Sequence, residues 1–210
     1  TAYFAMLLVL ISNNIGIMWV GMETTTLLTA FLICLHSNIY SLEAMWKYLI
    51  ICSIGMAFAL LGTILVGVAA QNSELTILNP LLWSELSQKA YLLNSQIMKA
   101  AFIFLIVGYG TKAGLAPMHN WLPDAHSQAP APVSAIFSGF MLNTSLYCIM
   151  RFIPLTEAAT GKTGWALELL LLFGLFSLVV SVVFIIFQND LKRLLAYCSI
   201  EHLGIIAIAL

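Results

Sequence analysis

The residues of this chain that could do chemistry are few, and each stands out against apolar surroundings. The first is Lys112, in the stretch Ala101–Pro132, AFIFLIVGYGTKAGLAPMHNWLPDAHSQAPAP. An ammonium that deep in a lipid-compatible span costs roughly 2.5–3.5 kcal/mol on insertion scales, so a lysine there is kept for a use. Pro117 follows five residues later. Its ring removes an N–H bond to the carbonyl of Ala113 and clashes with it, so the spacing predicts a helix break beside Lys112. Gly110 and Gly114 loosen the same turn. Non-helical backbone at membrane depth is tolerated where it is buried in protein or lines a wet cavity, and a buried cation beside a helix break is the pattern of an ion or proton site. The competing reading is that Lys112 snorkels to an interface and keeps its charge in water.

A second polar residue, Glu23, lies in an otherwise apolar segment and is followed by Thr24, Thr25 and Thr26. At 1.5 Å of rise per residue, Lys112 lies roughly 13 Å in from the side that carries the prolines, and Glu23 and Asn143 each roughly 18 Å in from that side. Three polar groups on three helices thus fall near one level of a hydrocarbon core about 30 Å thick. A Glu–Lys pair at that level lowers the burial cost of both, and such a pair with neighbouring asparagine, threonine and water can pass protons. A desolvated lysine releases its proton more readily, while a nearby carboxylate holds it charged. The bland alternative is a structural ion pair that fixes helix packing.

His119, His126 and Asp124 fall in the proline-rich segment that follows. Their spacing matches no strong metal-ligand pattern, so a proton relay or loop capping is the preferred role and no metal is expected. Cys198 and His202 would share a helix face, but two ligands do not make a metal site. His36 and His202 sit near helix ends, unsuited to a bis-histidine haem. Cys34, Cys52, Cys148 and Cys198 stand singly in apolar segments, which argues against iron–sulfur, zinc or disulfide roles. No Gly-rich phosphate loop or nucleophile elbow is present, so no cofactor is expected on this chain.

The elements that must position these residues are membrane helices. With 61% hydrophobic residues, 8% charged and a mean hydropathy of +1.00, the chain reads as an all-α, polytopic transmembrane bundle. Eight Lys+Arg against nine Asp+Glu give no basic surface for nucleic acid. About six complete spans are expected, with partial ones at the ends. Residues 1–11 close a first span, and Ser12-Asn13-Asn14 makes a polar turn. Ile15–Leu35 and Glu43–Val68 are the second and third spans, the latter with a helix start around Ser41. Residues 70–96 suit a short amphipathic interfacial helix. The broken Ile97–Trp121 is the fourth span, 122–132 a proline-rich loop, and Val133–Phe152 the fifth span. Pro154–Gly164 reads as a loop and Trp165–Phe187 as the sixth span. Asp190 is placed to cap a last helix from Leu191. Lys89, Lys99, Arg151 and Lys162 on one side balance Lys47, Lys192 and Arg193 on the other, so loop charge does not orient the chain. The chain opens and closes inside helical patterns and is expected to be a piece of a longer protein.

The run GYGTKAGLAPMHNWLPDAHSQAPAPVSAIFSG, with QNDLKRLLAYCSIEHLG downstream, resembles the antiporter-like membrane subunits of respiratory complex I, of Mrp cation/proton antiporters and of membrane-bound hydrogenases. Within that superfamily, NNIGIMWVGMETTTLLTAFLI and SLEAMWKYLIICSIG are most similar to hydrogenase-4 component F and its relatives. The resemblance covers nearly the whole chain. It implies a transporter fold of two inverted repeats, of which residues 1–210 would form one transmembrane domain running from the fourth helix into the tenth. It also implies that Glu23 is the family's essential glutamate, that Lys112 is the lysine of its broken helix, and that the proline-bearing side faces the cytoplasm. Where many relatives carry a lysine this chain has Asn143, and where others have a histidine it has Ser138. Neither titrates, so the central relay is expected to use water, Asn143, Ser138, or groups elsewhere in the protein.

The reading that results is proton translocation across the inner (plasma) membrane, coupled to electron transfer in partner subunits of a hydrogenase-4 or NADH:quinone oxidoreductase-like complex. Glu23 and Lys112 would transfer the proton, with Asn143, Ser138, His119 and His126 as relay candidates. The expected partners are other membrane subunits, hydrogenase or dehydrogenase subunits reached through them, the lipid bilayer, and protons or Na+. The alternative is an Mrp-type Na+(K+)/H+ antiporter subunit, and a third reading is a scaffold whose polar residues are relics.

Overall fold

The computed structural model describes residues 1–36, 38–71 and 79–210. Among them every regular element is a helix. The elements are α1 (Ala2–Ile11), α2 (Ile15–Ile33), α3 (Ile39–Gln71), α4 (Trp83–Gln88), α5 (Ser95–Ala113), α6 (Trp121–Gln128), α7 (Ala131–Ile136), α8 (Leu142–Thr160), α9 (Trp165–Ile186) and α10 (Leu191–Ala209). A 3₁₀ turn at Ala90–Leu92 precedes α5, and a π turn at Phe137–Met141 joins α7 to α8 as one continuous rod. The helix starts follow their caps. Asn14, Asn94 and Asp190 each accept backbone N–H bonds from the first turn of α2, α5 and α10. α3 starts at Ile39, ahead of Ser41, because the Asn38 side chain accepts the Ser41 N–H at 2.6 Å.

Among the described residues, four helices are long and apolar enough to cross a membrane: α2, α3, the continuous rod Ala131–Thr160, and α9. α5 and α10 have 19 residues each, as many as α2, but α5 carries Lys99 and Lys112 and α10 carries Lys192, Arg193, Glu201 and His202, against Glu23 alone in α2. The expected count of about six spans therefore resolves into four apolar helices and two polar-bearing ones of spanning length. Large apolar side chains such as Phe31, Trp46, Val179 and Ile186 point outward, whereas Thr25, Thr26, Thr29 and Lys112 are buried. That distribution suits lipid outside and a polar interior.

Two segments expected as loops are helical instead. The segment 122–132 is not a loop. Trp121–Gln128 is helical with Pro123 in its first turn, and α7 begins after Pro130 with Pro132 in its own first turn. A proline costs nothing in a first turn, where its missing N–H would have no helical partner. Pro154 likewise lies inside α8, which runs on to Thr160 and stops at Gly161. Of the expected interfacial segment, α4 and the 3₁₀ turn are present, and residues 72–78 lie outside the described residues.

The seam between α3 and α5 positions the buried lysine. Gly108 faces the backbone of α3 so closely that a Cβ there would come within 2.4 Å of the Ala59 nitrogen. Gly55 meets Thr111 and Gly62 meets Ala101 and Leu105 along the same seam. Small residues let the two backbones touch, which is how helices associate where water provides no drive.

Candidate functional site

The break in the membrane helix falls beside Lys112 as expected, but Gly114 makes it and not Pro117. α5 ends at Ala113 because Gly114 takes φ 81°, ψ 26°, the left-handed conformation that glycine adopts without strain. Leu115 N–H then bonds the Gly110 carbonyl at 2.9 Å and Gly114 N–H the Thr111 carbonyl at 3.2 Å. The glycine cannot be replaced cheaply, since any other residue would be strained at this positive φ, and its Cβ would also push the Leu122 side chain aside. Pro117 thus lies in the linker 114–120 and not in a kinked helix. Two side chains tie that linker down: Trp121 Nε1 donates to the Thr111 carbonyl at 2.8 Å, and the Ala116 N–H bonds Ser177 Oγ of α9 at 2.9 Å. Lys112 therefore stands in the last turn of α5, at a helix C-terminus that favours a cation.

Lys112 is fully buried, which removes the snorkelling alternative. Its Nζ donates to Thr26 Oγ1 at 2.9 Å and to the Tyr48 hydroxyl at 2.6 Å, and lies 4.7 Å from the Tyr48 ring centroid. Glu23 is half-buried on α2, one turn from Thr26. Thr26 Oγ1 approaches Glu23 Oε2 at 3.3 Å and the Met22 carbonyl at 3.3 Å, so its single proton has two acceptors. Ser53 of α3 also faces the Glu23 carboxylate. Glu23 and Lys112 make no ion pair within 4.0 Å among the described residues. The two charges are joined through the Thr26 hydroxyl.

Beyond the lysine, the Tyr48 hydroxyl lies 2.7 Å from Thr29 Oγ1, which donates to the Thr25 carbonyl at 2.7 Å. The Tyr48 ring is held between Trp121 (centroids 5.0 Å apart) and Phe137 (5.9 Å). The result is a buried string running Glu23, Thr26, Lys112, Tyr48, Thr29 across α2, α3 and α5. Proton transfer needs donors and acceptors alternating at hydrogen-bond distance, and this string provides them.

The other sequence candidates lie elsewhere. Asn143 is exposed and bonds its own helix, Nδ2 donating to the Gly139 carbonyl at 2.9 Å. Ser138 pairs with Ser199 of α10 at 3.2 Å. His119 is buried against Phe184 and Tyr197. His126 is buried against Phe137 and lines a cavity of about 390 Å³ with Ser138, Lys192, Cys198, Ser199 and His202. None of these four contacts Lys112. Asp124 has a surface role, pairing with Lys47 and Arg193 at 2.9 Å each and so tying α6 to α3 and α10. The described residues hold no group of three or more His, Cys, Asp or Glu arranged for a metal ion.

Sequence reasoning noted Thr26 beside Glu23 without giving it the bridging role, and it missed Tyr48 and Thr29. One signal was available: residues 23, 26 and 29–30 share a face of α2, so the threonines follow Glu23 along the stripe that meets α3.

Comparison with known proteins agrees with this architecture. The chain is 44% identical over 206 residues to a hydrogenase-4 component F homolog of Methylacidiphilum infernorum, covering 98% of this chain and 43% of that protein. It superposes on a chain of an archaeal respiratory membrane complex, the membrane-bound sulfane sulfur reductase, with TM-score 0.88 and 27% identity, over 99% of this chain and 41% of that one. A chain of the Mrp complex from Dietzia sp. matches with TM-score 0.82 and 25% identity, over 97% of this chain and 21% of that one. The chain spans less than half the length of each of these relatives. The family described as NADH:quinone oxidoreductase/Mrp antiporter, transmembrane, matches residues 12–210, and this membrane-embedded chain belongs to it.

Proposed function

We propose that this chain carries the proton-input half of a translocating membrane subunit. Protons would cross through Glu23 and Lys112, driven by electron transfer in partner subunits of a hydrogenase-4 or NADH:quinone oxidoreductase-like complex. The observation that carries the reading is the fully buried Lys112 ammonium joined to the Glu23 carboxylate through one hydroxyl, with no direct contact between the charges. In the exchange, an N–H bond of Lys112 breaks as its proton passes to Thr26 Oγ1. The Thr26 O–H breaks in turn and its proton passes to Glu23. A separated ammonium and carboxylate become a neutral amine and a neutral acid, and the reverse step restores them. Burial makes this exchange consequential, because each charge left alone in the interior is costly.

On this reading the chain holds no redox centre, and electrons run through other subunits. The protein would lie in the inner (plasma) membrane beside other membrane subunits, with hydrogenase or dehydrogenase subunits reached through them. The structural likeness to the Mrp complex supports a second reading, an Mrp-type Na+(K+)/H+ antiporter subunit using the same site.

The test is acidification of inverted membrane vesicles bearing the full-length protein in its complex, with redox turnover recorded in the same sample. Lys112→Ala and Glu23→Ala are expected to abolish acidification while the complex stays assembled and keeps much of its electron transfer. Unchanged acidification per electron in Lys112→Ala would falsify the reading. Proton movement that requires Na+ and persists without a redox partner would favour the antiporter.

A further inference from the structure

Tyr48 is the closest partner of the lysine, at 2.6 Å, and nothing in the Glu23–Lys112 exchange uses it. Its hydroxyl is buried on α3 with three polar neighbours, Lys112 Nζ, Thr29 Oγ1 and the Thr26 hydroxyl, and the Met141 sulfur at 3.7 Å. An ammonium has three donors and no acceptor, so beside charged Lys112 the phenol oxygen must accept. The Tyr48 proton then goes to Thr29 Oγ1, whose own proton is held by the Thr25 carbonyl. A neutral amine has a lone pair. Beside neutral Lys112 the phenol can turn its O–H onto that lone pair, and Thr29 can turn its hydroxyl proton toward the phenol oxygen. Both arrangements satisfy every buried hydroxyl with the same heavy-atom positions, and a buried polar group left without a partner is costly.

We propose that Tyr48 is a two-way hydrogen-bond partner of Lys112, accepting from the ammonium and donating to the amine. It would thereby hold the lysine in place through both halves of the proton cycle, with Thr29 as the counter-partner that makes the reversal free of unpaired groups. The phenol stays neutral throughout and no bond to it is made or broken. The aromatic cage of Trp121 and Phe137 fixes the ring plane, so the hydroxyl rotor is the moving part. Among the described residues, the other titratable groups that face this pair are Glu23 on α2 and Cys52 on α3. The inference rests on Lys112 being the transport residue.

Tyr48→Phe in the full-length protein keeps the ring, its stacking and its approach to the ammonium, and removes only the hydroxyl. Transport per electron is expected to fall about ten- to hundredfold, the size of a lost hydrogen bond to a charged group. Its pH profile is expected to move to lower pH, because the ammonium loses a stronger bond than the amine does. Thr29→Val should give a smaller shift in the same direction. In infrared difference spectra of the purified complex between high and low pH, with ring-deuterated tyrosine, a tyrosine C–O band should change in wild type and vanish in both Tyr48→Phe and Lys112→Ala. If Lys112→Ala abolishes transport but Tyr48→Phe transports normally, the inference is overturned and the lysine reading stands. A fall in transport with an unmoved pH profile and no tyrosine band also overturns it, leaving Tyr48 a packing residue. Normal transport in Lys112→Ala removes the foundation of both.

Discussion

Thr26→Val isolates the bridge between the two charges. Valine has nearly the volume of threonine, so the substitution opens no space for a water to replace the lost oxygen, and the β-branched shape suits the helix equally well. What disappears is the acceptor 2.9 Å from Lys112 Nζ and the hydroxyl 3.3 Å from Glu23 Oε2. Lys112 is left with Tyr48 as its remaining side-chain acceptor. A hydrogen bond to a charged group contributes about 1.5–3 kcal/mol, and the unpaired group remains in the interior. At about 1.4 kcal/mol per decade, the exchange between lysine and glutamate should slow by about ten- to hundredfold. The assay is initial acidification rate per electron transferred, in inverted vesicles with matched amounts of assembled complex. Thr26→Ser, which keeps the oxygen, should retain most of the rate. Thr25→Val is the control, because the Thr25 hydroxyl donates to the Met22 carbonyl of its own helix at 2.6 Å. Transport in Thr26→Val equal to wild type, alongside a dead Lys112→Ala, would mean that the proton reaches the lysine by a route that bypasses Thr26.

Two further outcomes follow from the same geometry. Lys112→Arg should fail to restore transport, since a guanidinium keeps its charge but does not release a proton, and vesicle acidification reads this directly. Gly108→Ala should weaken the whole unit, because the new Cβ meets backbone atoms of Ala59 at 2.4–2.7 Å and the two helices must part. A loss of about 1–3 kcal/mol is expected for such overpacking, visible as a lower thermal midpoint of the detergent-purified complex.

The parts of the site legible in the sequence are those where a residue contradicts its surroundings. A lysine and a glutamate inside apolar segments are outliers on any insertion scale, and they share one buried string through Thr26. Tyr48 escaped because an aromatic hydroxyl beside Lys47, near the start of a span, fits an interfacial anchor as well as a buried partner. Its burial is set by α5 and Trp121, which are far away in sequence. Thr29 escaped for a related reason: a threonine in a membrane helix satisfies its hydroxyl on the carbonyl one turn back, as Thr25 and Thr29 do, so its type does not betray a tertiary role. The prolines misled about elements and not about the site. Pro123 and Pro132 occupy first turns, where proline and helix agree, and the break itself is set by Gly114. Asn143 shared a calculated depth with Glu23, but depth is one coordinate of three, and its side chain points away.

The glycine seam between α3 and α5 has a mechanical consequence. Tyr48 and Lys112 ride on two backbones in contact, with Gly108 against Ala59 and Gly55 against Thr111. They form a stator whose internal spacing cannot change without prising that contact open. Glu23, Thr26 and Thr29 all ride on α2, so every contact from the lysine–tyrosine pair to the rest of the string crosses onto one helix. A shift of α2 by about 1 Å away from α5, along the Lys112–Thr26 contact, takes that 2.9 Å bond out of hydrogen-bond range while leaving the stator untouched. The fold thereby divides the hydrogen-bonded string into a fixed terminal and a movable contact, the layout of a circuit breaker whose throw is smaller than the radius of an atom.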